Sequence, residues 1–445
     1  MCRKQKLSMT SHQIISSLVL LASFGFFAWT VSKLVKLFGL TKKENRVDKI
    51  SERTITTLLV AFGQSKMMKK PLAGILHALV WWGFLVITVG TLEMMIDGVA
   101  GTERIFSFFG IGYNLLTISG EIFAALIILS CFIFLARRYI TKPKRFIARE
   151  MKPSSRMDAT IILAMILLLM FSLLGMNLGY IVSGKEAHYG AFPVSELLIK
   201  IFPFISTYNL ETFGKVNWWL HISLVLAFLN ILPYSKHFHV FMSVPNVFFT
   251  RLEPKAKLNN MESVTKEVKL MLNPDTAFAP AENAEVPRFG VKDVEDVSWK
   301  TLFDSYTCTE CGRCTDVCPA NITGKKLSPR KLFIDLRKRM KDKSDGLLKD
   351  KNFSDGKTLI SDDYIGQEEL WACTTCMACI EECPVNIDHV PFIVDMRRNL
   401  VMEESKMPSG WTMMMSNIEN NGAPWKFSPS DRLNWANDVV LRMTK

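Results

Sequence analysis

The chain has 445 residues, 49% of them hydrophobic, a formal net charge of +12 and a positive mean hydropathy. That length allows two domains of different solvent preference, and the averages hide a sharp split along the chain. The surplus of Lys and Arg would suit a nucleic-acid partner, but its position along the chain assigns it to membrane orientation instead.

Apolar runs near the roughly 20 residues needed to cross a bilayer recur at residues 14–37, 73–96, 115–135, 159–180 and 218–241. Beyond residue 244 charges are spread throughout, so a membrane part precedes a water-soluble one. No small-residue cleavage site follows the first run, which reads as an anchor rather than a removed signal peptide. Basic residues crowd the connections between runs one and two, from Lys42 to Lys70, and between runs three and four, from Arg137 to Arg156. Segments 97–112 and 182–215 are poor in them. By the positive-inside rule the two basic loops and everything after the fifth run face the cytoplasm, and the N-terminus lies outside. Arg3, Lys4 and Lys6 pull mildly the other way.

Histidines mark the membrane part. An ionisable residue at membrane depth is a functional candidate by default, and a bis-histidine haem takes one imidazole from each of two facing helices. His77, near the cytoplasmic start of the second run, and His239, near the cytoplasmic end of the fifth, lie at the same depth and form the expected haem pair. His221 and His239 are 18 residues apart, which on one straight helix is five turns and about 27 Å. His221 is therefore a further candidate ligand toward the outer side, and Pro233 is a candidate kink between the two. On the second run Ile87 stands where a partner for His221 would be. The stretch resembles the haem-bearing gamma subunit of respiratory nitrate reductase, whose fifth helix carries two histidines at this spacing with a proline and a serine between them, as Pro233 and Ser235 stand here. The resemblance implies haem b at His77 and His239. It leaves open whether a second haem exists, held by His221 alone or with His188 from the outer loop, or is absent. Glu121, Lys185 and His188 are available near the outer side to handle protons for a quinone, and each also reads as an ordinary interfacial residue. The chain has no C-x-x-C-H for covalent haem. It also has no dinucleotide fingerprint and no phosphate loop, so it reads as passing electrons rather than taking a hydride.

The water-soluble part opens with a mixed stretch, 242–297, expected to be a surface tether, and continues with short helical segments including 328–340. Two nearly identical words follow, "CTECGRCTDVCPAN" at 308–321 and "CTTCMACIEECPVN" at 373–386. The polar, Gly-containing insert between them reads as exposed loop. Eight of the ten cysteines stand in these words, each spaced C-x2-C-x2-C-x3-C-P. Three cysteines at that spacing wrap one face of an iron-sulfur cubane, and the fourth turns away to the other cluster. The expectation is one 4Fe-4S cluster on Cys308, Cys311, Cys314 and Cys383, and a second on Cys373, Cys376, Cys379 and Cys318. Two zinc sites would leave cysteines over in each word. Cys2 and Cys131 stand outside the register and read as structural or incidental.

The doubled word resembles the two-cluster helical ferredoxin module of heterodisulfide reductase subunits and of succinate dehydrogenase iron-sulfur subunits. Fused behind a haem membrane part, it resembles the membrane-bound heterodisulfide reductase and the related electron-transfer flavoprotein:menaquinone oxidoreductases. The expected fold class is all-α: a five-span helical bundle at 1–244, a linker at 245–297, a dicluster domain at 298–404 and a partner-docking tail at 405–445. What the resemblance implies is an electron-transfer subunit in a bacterial or archaeal cytoplasmic membrane, with its soluble domain in the cytoplasm. It would link a cytoplasmic partner to menaquinone through two 4Fe-4S clusters and haem b. The implied partners are a CCG-domain iron-sulfur subunit, separate because no Cys-Cys pair occurs here, and electron-transfer flavoprotein. The same wire run backwards would carry electrons from quinol to a cytoplasmic disulfide or sulfur acceptor. A redox sensor and an ion-moving subunit are the readings from other classes. A sensor needs no transmembrane haem, and ion movement asks for more carboxylates in the spans than Glu121.

Overall fold

The computed structural model describes residues 9–184, 190–203, 210–273 and 288–437. Among the described residues all regular structure is helical, and β-pairing is confined to the single bridges Lys42–Ser298 and Ile360–Ile365.

Five long helices are apolar enough to cross a membrane: α1 (Ser11–Phe38), α2 (Pro71–Ala100), α3 (Ile111–Ala136), α4 (Pro153–Val182) and α5 (Leu210–Ile231). Local chemistry sets their ends. Thr10 and Gln13 form a capping box ahead of α1, and Pro71 and Pro153 preset the first turn of α2 and α4. Gly101, at φ 72, closes α2 in the left-handed conformation that a side chain would resist. Large apolar side chains such as Leu18, Leu21, Trp29, Leu72, Leu115 and Leu129 stand exposed on these helices. A continuous apolar surface of that kind is what lipid covers. Polar side chains turn inward: Ser172, Asn177 and His221 are buried between helices.

The fifth run is not one helix. α5 ends at Ile231, two single 3-10 turns follow at Leu232–Tyr234 and Lys236–Phe238, and α6 (His239–Phe248) starts afresh. Pro233 lacks the N–H that a continuing helix would need. Ser235 is extended, at φ −101 and ψ 152, and its hydroxyl caps the following turn by accepting from the His237 amide at 3.0 Å. The straight-helix reckoning that put His221 and His239 on one stripe therefore fails at this break.

The soluble domain is built around α7 (Trp299–Thr307), α8 (Pro329–Leu347) and α9 (His389–Arg398). Leu332, Phe333, Leu336 and Met340 of α8 are fully buried and pack with Leu302, Ile393 and Met396. The core takes in Val291, Val294 and Val297, and Leu37 from the foot of α1, so folded structure begins ahead of residue 298. The stretch expected to be a tether instead holds α6 and a helix at Glu262–Leu272. It is fastened by Arg53, whose Nη1 donates to Phe248 O at 3.0 Å and Thr250 O at 2.6 Å. Residues 274–287 of that stretch lie outside the described residues. The insert between the cysteine words is likewise not all exposed. α8 runs into it as far as Leu347, Leu359 and Ile365 are buried, and Arg339 binds Asp355 and Asp293.

The domain sits on the face made by the two basic loops, through buried charge. Arg330, fully buried, donates to Glu150 Oε1 at 2.6 Å, Arg145 O at 2.8 Å and Glu310 O at 3.2 Å. Arg145 meets Asp316 at 2.9 Å, Lys69 meets Glu381, and Glu310 takes Ser155, Lys236 and Arg337. Burial by itself would raise the Glu150 carboxyl, but Arg330, together with a backbone hydrogen bond and the Ser328 hydroxyl, holds it low. Arg330→Met would strand Glu150 and two carbonyls, and removing one partner of a buried pair costs about 3 kcal/mol or more. The variant should unfold at a clearly lower temperature, read by thermal denaturation in detergent; an unchanged midpoint would show that this contact carries no weight.

Candidate cofactor sites

The two cysteine words wind the same way. Glu310 (φ 57) and Gly312 (φ 74) are left-handed in the first, Thr375 (φ 54) and Met377 (φ 61) in the second. Left-handed residues set between right-handed ones curl the backbone into a concave nest of N–H groups, the kind that receives anionic iron-sulfur centres. A helical turn follows in each, at Arg313–Asp316 and Ala378–Glu382, and then an extended cysteine and a proline. Gly312 is required twice over. A Cβ there would stand 2.5 Å from Arg330 Nη1 and 3.1 Å from the Arg145 Cβ. Met377 adopts the same hand where its side chain can pack on Cys314, Cys379, Ile380 and Val390.

The fourth cysteine of each word lies with the first three of the other. A cavity is lined by Cys318 together with Cys373, Cys376 and Cys379, and by Pro319, Val390 and Ile393. Cys383 lies in electrostatic reach of Cys311 and Cys308, and Cys314 in reach of all three. Among the described residues no three Cys, His, Asp or Glu side chains converge tightly enough for a single ion. Burial pushes the Cys308 thiol up to about 11 and the Cys383 thiol up to about 12. Thiolates there at neutral pH need strong positive charge beside them, which cluster iron supplies. Cys376 is exposed and Cys311 and Cys373 are half-buried; the other word cysteines are buried. Cys131 is packed among the apolar side chains of α3 and α4, and Cys2 lies outside the described residues.

The first word faces the membrane part. Arg313, next to Cys314, donates to Lys66 O at 3.0 Å and Met67 O at 3.3 Å, in the loop that enters α2. The end of the second word meets it as well: Lys66 Nζ donates to Cys383 O at 3.3 Å, and Asn246 of α6 donates to Val385 O at 2.9 Å. The start of the second word lies beside the tail: Cys376 is exposed, and Trp371, just ahead of Cys373, makes an edge contact with Trp411 at 5.0 Å.

His77 and His239 come together. Their ring centroids are 6.4 Å apart and the rings are inclined by 33°. Two metal–imidazole bonds of about 2 Å each plus two half-rings place centroids about 6 Å apart, so the pair is spaced as bis-axial ligands would be. His77 Nδ1 lies 3.0 Å from Gln64 Oε1, and Gln64 Nε2 in turn donates to Ala61 O at 2.5 Å. His239 Nδ1 faces Lys236 O at 3.3 Å. With each Nδ1 held by an acceptor, each Nε2 carries the free lone pair, the second-shell arrangement of ligating histidines. One turn along α2, Trp81 Nε1 is buried without a partner. These residues fit haem b. Gln64 was not singled out in the sequence; its only signal is an amide closing an apolar run, "LLVAFGQ".

His221 does not join them. It is buried between α4 and α5 with Nδ1 2.9 Å from Ser172 Oγ and 3.0 Å from Leu169 O, and it lines a separate cavity that Ile87 also borders. Glu121 is occupied: it accepts from the amides of Val194 and Ser195, the Ser195 hydroxyl and Asn177 Nδ2, so it anchors the helix Pro193–Ile201 rather than standing ready to move protons. Lys185 and His188 lie outside the described residues.

Comparison with known proteins agrees with the cysteine geometry. A 4Fe-4S dicluster domain matches residues 300–384. The chain is 30% identical over 93% of its length to a probable iron-sulfur-binding oxidoreductase, FadF, of Bacillus subtilis, of which it covers 59%. It is 29% identical over 94% of its length to the EtfAB:quinone oxidoreductase of Syntrophomonas wolfei, of which it covers 58%. Over 24% of its length it is 32% identical to one subunit of the ferredoxin/F420H2-dependent CoB-CoM heterodisulfide reductase of Methanosarcina acetivorans, covering 52% of that protein. The chain thus spans less than three fifths of the length of the first two relatives. No solved structure matches it. The relatives are iron-sulfur oxidoreductases and their subunits, as the resemblance of the cysteine words implied.

Paired substitutions test the exchange of ligands. If the fourth cysteines are exchanged, Cys318→Ser with Cys373→Ser damages one cluster and should leave about four irons per chain, whereas Cys318→Ser with Cys308→Ser damages both and should leave almost none. Iron and sulfide content with electron paramagnetic resonance would check this, and the reverse pattern would mean that each word keeps its own fourth ligand.

Proposed function

We propose that the chain is the membrane-anchored electron-transfer subunit of a quinone-linked oxidoreductase, carrying electrons between a cytoplasmic CCG-type or flavoprotein partner and the quinone pool. The ligand sets for two 4Fe-4S clusters and haem b are those named above, and these groups supply one-electron carriers when bound. What supports the reading is the order in which the chain lines up its ligand sets. Cys376 is exposed at the far surface, the set of Cys308, Cys311, Cys314 and Cys383 is buried against the membrane loops, and His77 with His239 follows at the foot of the spans.

The chain's own residues hold that order. Arg313 pins the first cysteine word to the loop ahead of α2, and Gln64 from the same loop fixes the His77 ring. Displacement of the soluble domain would therefore disturb both sites at once. The tail, which meets the start of the second word through Trp411, presents Trp411, Met413, Trp425, Phe427 and Trp435, all exposed. Aromatic and Met-rich surface of this kind is the composition of protein interfaces, and it lies where a CCG-type iron-sulfur subunit would deliver electrons. The cytoplasmic side is assigned by the basic loops on the face that carries the domain, in a bacterial or archaeal membrane, with menaquinone as the quinone. Opposite transfer, from quinol to a disulfide, is a second reading favoured by the relative named as a heterodisulfide reductase subunit.

His77→Ala should abolish the dithionite-reducible haem absorption bands of the purified protein while leaving the cluster signals intact. Bands that persist would mean that another residue holds the haem.

A further inference from the structure

The connection between α3 and α4 holds its charge in an arrangement that membrane orientation does not require. Residues 137–158 contain eight Arg and Lys against two acids, Glu150 and Asp158. Glu150 is bound by Arg330 at 2.6 Å, and Asp158 faces His237 at 3.4 Å. Orientation asks only for positive charge near the ends of spans, which lysines on the loop surface would meet. Here three guanidiniums gather on one ring: those of Arg137, Arg138 and Arg145 lie 5.6, 5.5 and 5.4 Å from the centre of Phe146. Arg137 and Arg138 open the π turn Arg137–Thr141 that continues α3, and Lys142 (φ 41) turns the chain so that Arg145 and Phe146 come back to them.

The protein does not neutralise this cluster. Arg137 is half-buried, and among the described residues its side chain makes no hydrogen bond and meets no carboxylate; the charges that act on it, Arg145 and Arg313, are both positive. Arg313 is met by carbonyls alone, those of Lys66 and Met67. Arg145 has Asp316 at 2.9 Å, an acid it shares with Lys70 at 3.9 Å, and its Nε is buried without a partner. Arg138 has Arg156 O at 3.2 Å and lies in electrostatic reach of Asp158. Cations so close at the edge of a bilayer repel one another with little water to screen them. An anion from outside the chain would relieve them.

The surroundings select that anion. Tyr139, Ile140 and Ile147 stand exposed in the same connection, and Leu129 and Phe132 are exposed on the last turns of α3. An aromatic and apolar rim of this kind belongs at a membrane interface. A free anion gains nothing from it, whereas a lipid gains contact for its chains.

We propose that this cluster binds the phosphodiester of an anionic glycerophospholipid, gripped by the guanidiniums of Arg137 and Arg138, with its acyl chains on the exposed apolar surface of α3. A guanidinium fork matches a pair of phosphate oxygens, and basic pockets at the ends of membrane helices are where anionic headgroups settle. Because Arg137 feels Arg313, which is next to Cys314, the headgroup would also relieve repulsion between the foot of α3 and the first cysteine word. The lipid would thus help to seat the soluble domain.

The test is titration of the delipidated full chain in detergent with phosphatidylglycerol, phosphatidylcholine or inorganic phosphate, reading bound lipid by native mass spectrometry and the unfolding midpoint by thermal denaturation. The expectation is one phosphatidylglycerol per chain, held at least tenfold more tightly than phosphatidylcholine, with a raised midpoint that inorganic phosphate does not reproduce. Arg137→Gln removes no hydrogen bond within the protein, so without lipid it should unfold no lower than the parent chain, yet bind phosphatidylglycerol at least tenfold more weakly. Lys142→Gln with Lys144→Gln removes more charge from the same connection and should leave the affinity within twofold. An equal loss in the lysine pair would mean diffuse attraction to a basic surface and would overturn the site. So would full affinity in Arg137→Gln, or an equal response to phosphatidylcholine or to inorganic phosphate. Should Arg137→Gln lose its cluster signals and so fail to fold, Arg138→Gln gives the same reading.

Discussion

The buried charged seam between the basic loops and the soluble domain is the constraint on which the rest depends. Arg330, with no exposed surface, is satisfied only when Glu150 and Arg145 O of the membrane part and Glu310 O of the first cysteine word are all in place. A guanidinium taken out of water is costly unless every donor finds a partner, so the seam is specific about geometry. It also explains why residue 312 is glycine, because the guanidinium occupies the space of its side chain. The basic loops between the spans also supply part of the contacts that seat the domain.

From that seating the placement of the redox sites follows. Arg313 ties the first cysteine word to the loop preceding α2, Lys66 of that loop donates to Cys383 O of the second, and Gln64 from the same loop orients His77. The break at Pro233 and Ser235 has a role of its own: by ending α5 early it lets α6 start at His239, opposite His77. A continuous fifth helix would have kept the two histidines of the fifth run on one rod. The broken one leaves His221 at the outer cavity and frees His239 to meet α2.

Much of this could be read in the chain. Length and apolarity located four spans to within six residues of their helices, because lipid thickness fixes a length that composition cannot hide, whereas the fifth run, 218–241, is split between α5 and α6. The repeated cysteine spacing announced two clusters, because four ligands within ten residues admit few other centres. The His77 and His239 pairing came from depth alone. What was not legible depended on tertiary contact. The stretch after residue 242 looked like a tether because Arg53, far away in sequence, supplies the carbonyl contacts that order it. The insert after α8 looked like loop because its charges are neutralised inside the fold, as Arg339 is by Asp293 and Asp355. Glu121 looked available for proton transfer because its four donors come from segments 56 to 74 residues away. Arg104 stood in an outer loop poor in basic residues, yet it is buried at the edge of a cavity.

In the proposed function one chain would hold iron in two environments, cysteine-bound in the soluble domain and imidazole-bound at the foot of the spans. Mössbauer spectroscopy of the full chain enriched in ⁵⁷Fe measures both together. The account predicts a six-coordinate low-spin haem component of about one iron beside about eight in tetrahedral sulfur coordination. A spectrum of cluster iron alone, in a fully loaded preparation, would contradict it.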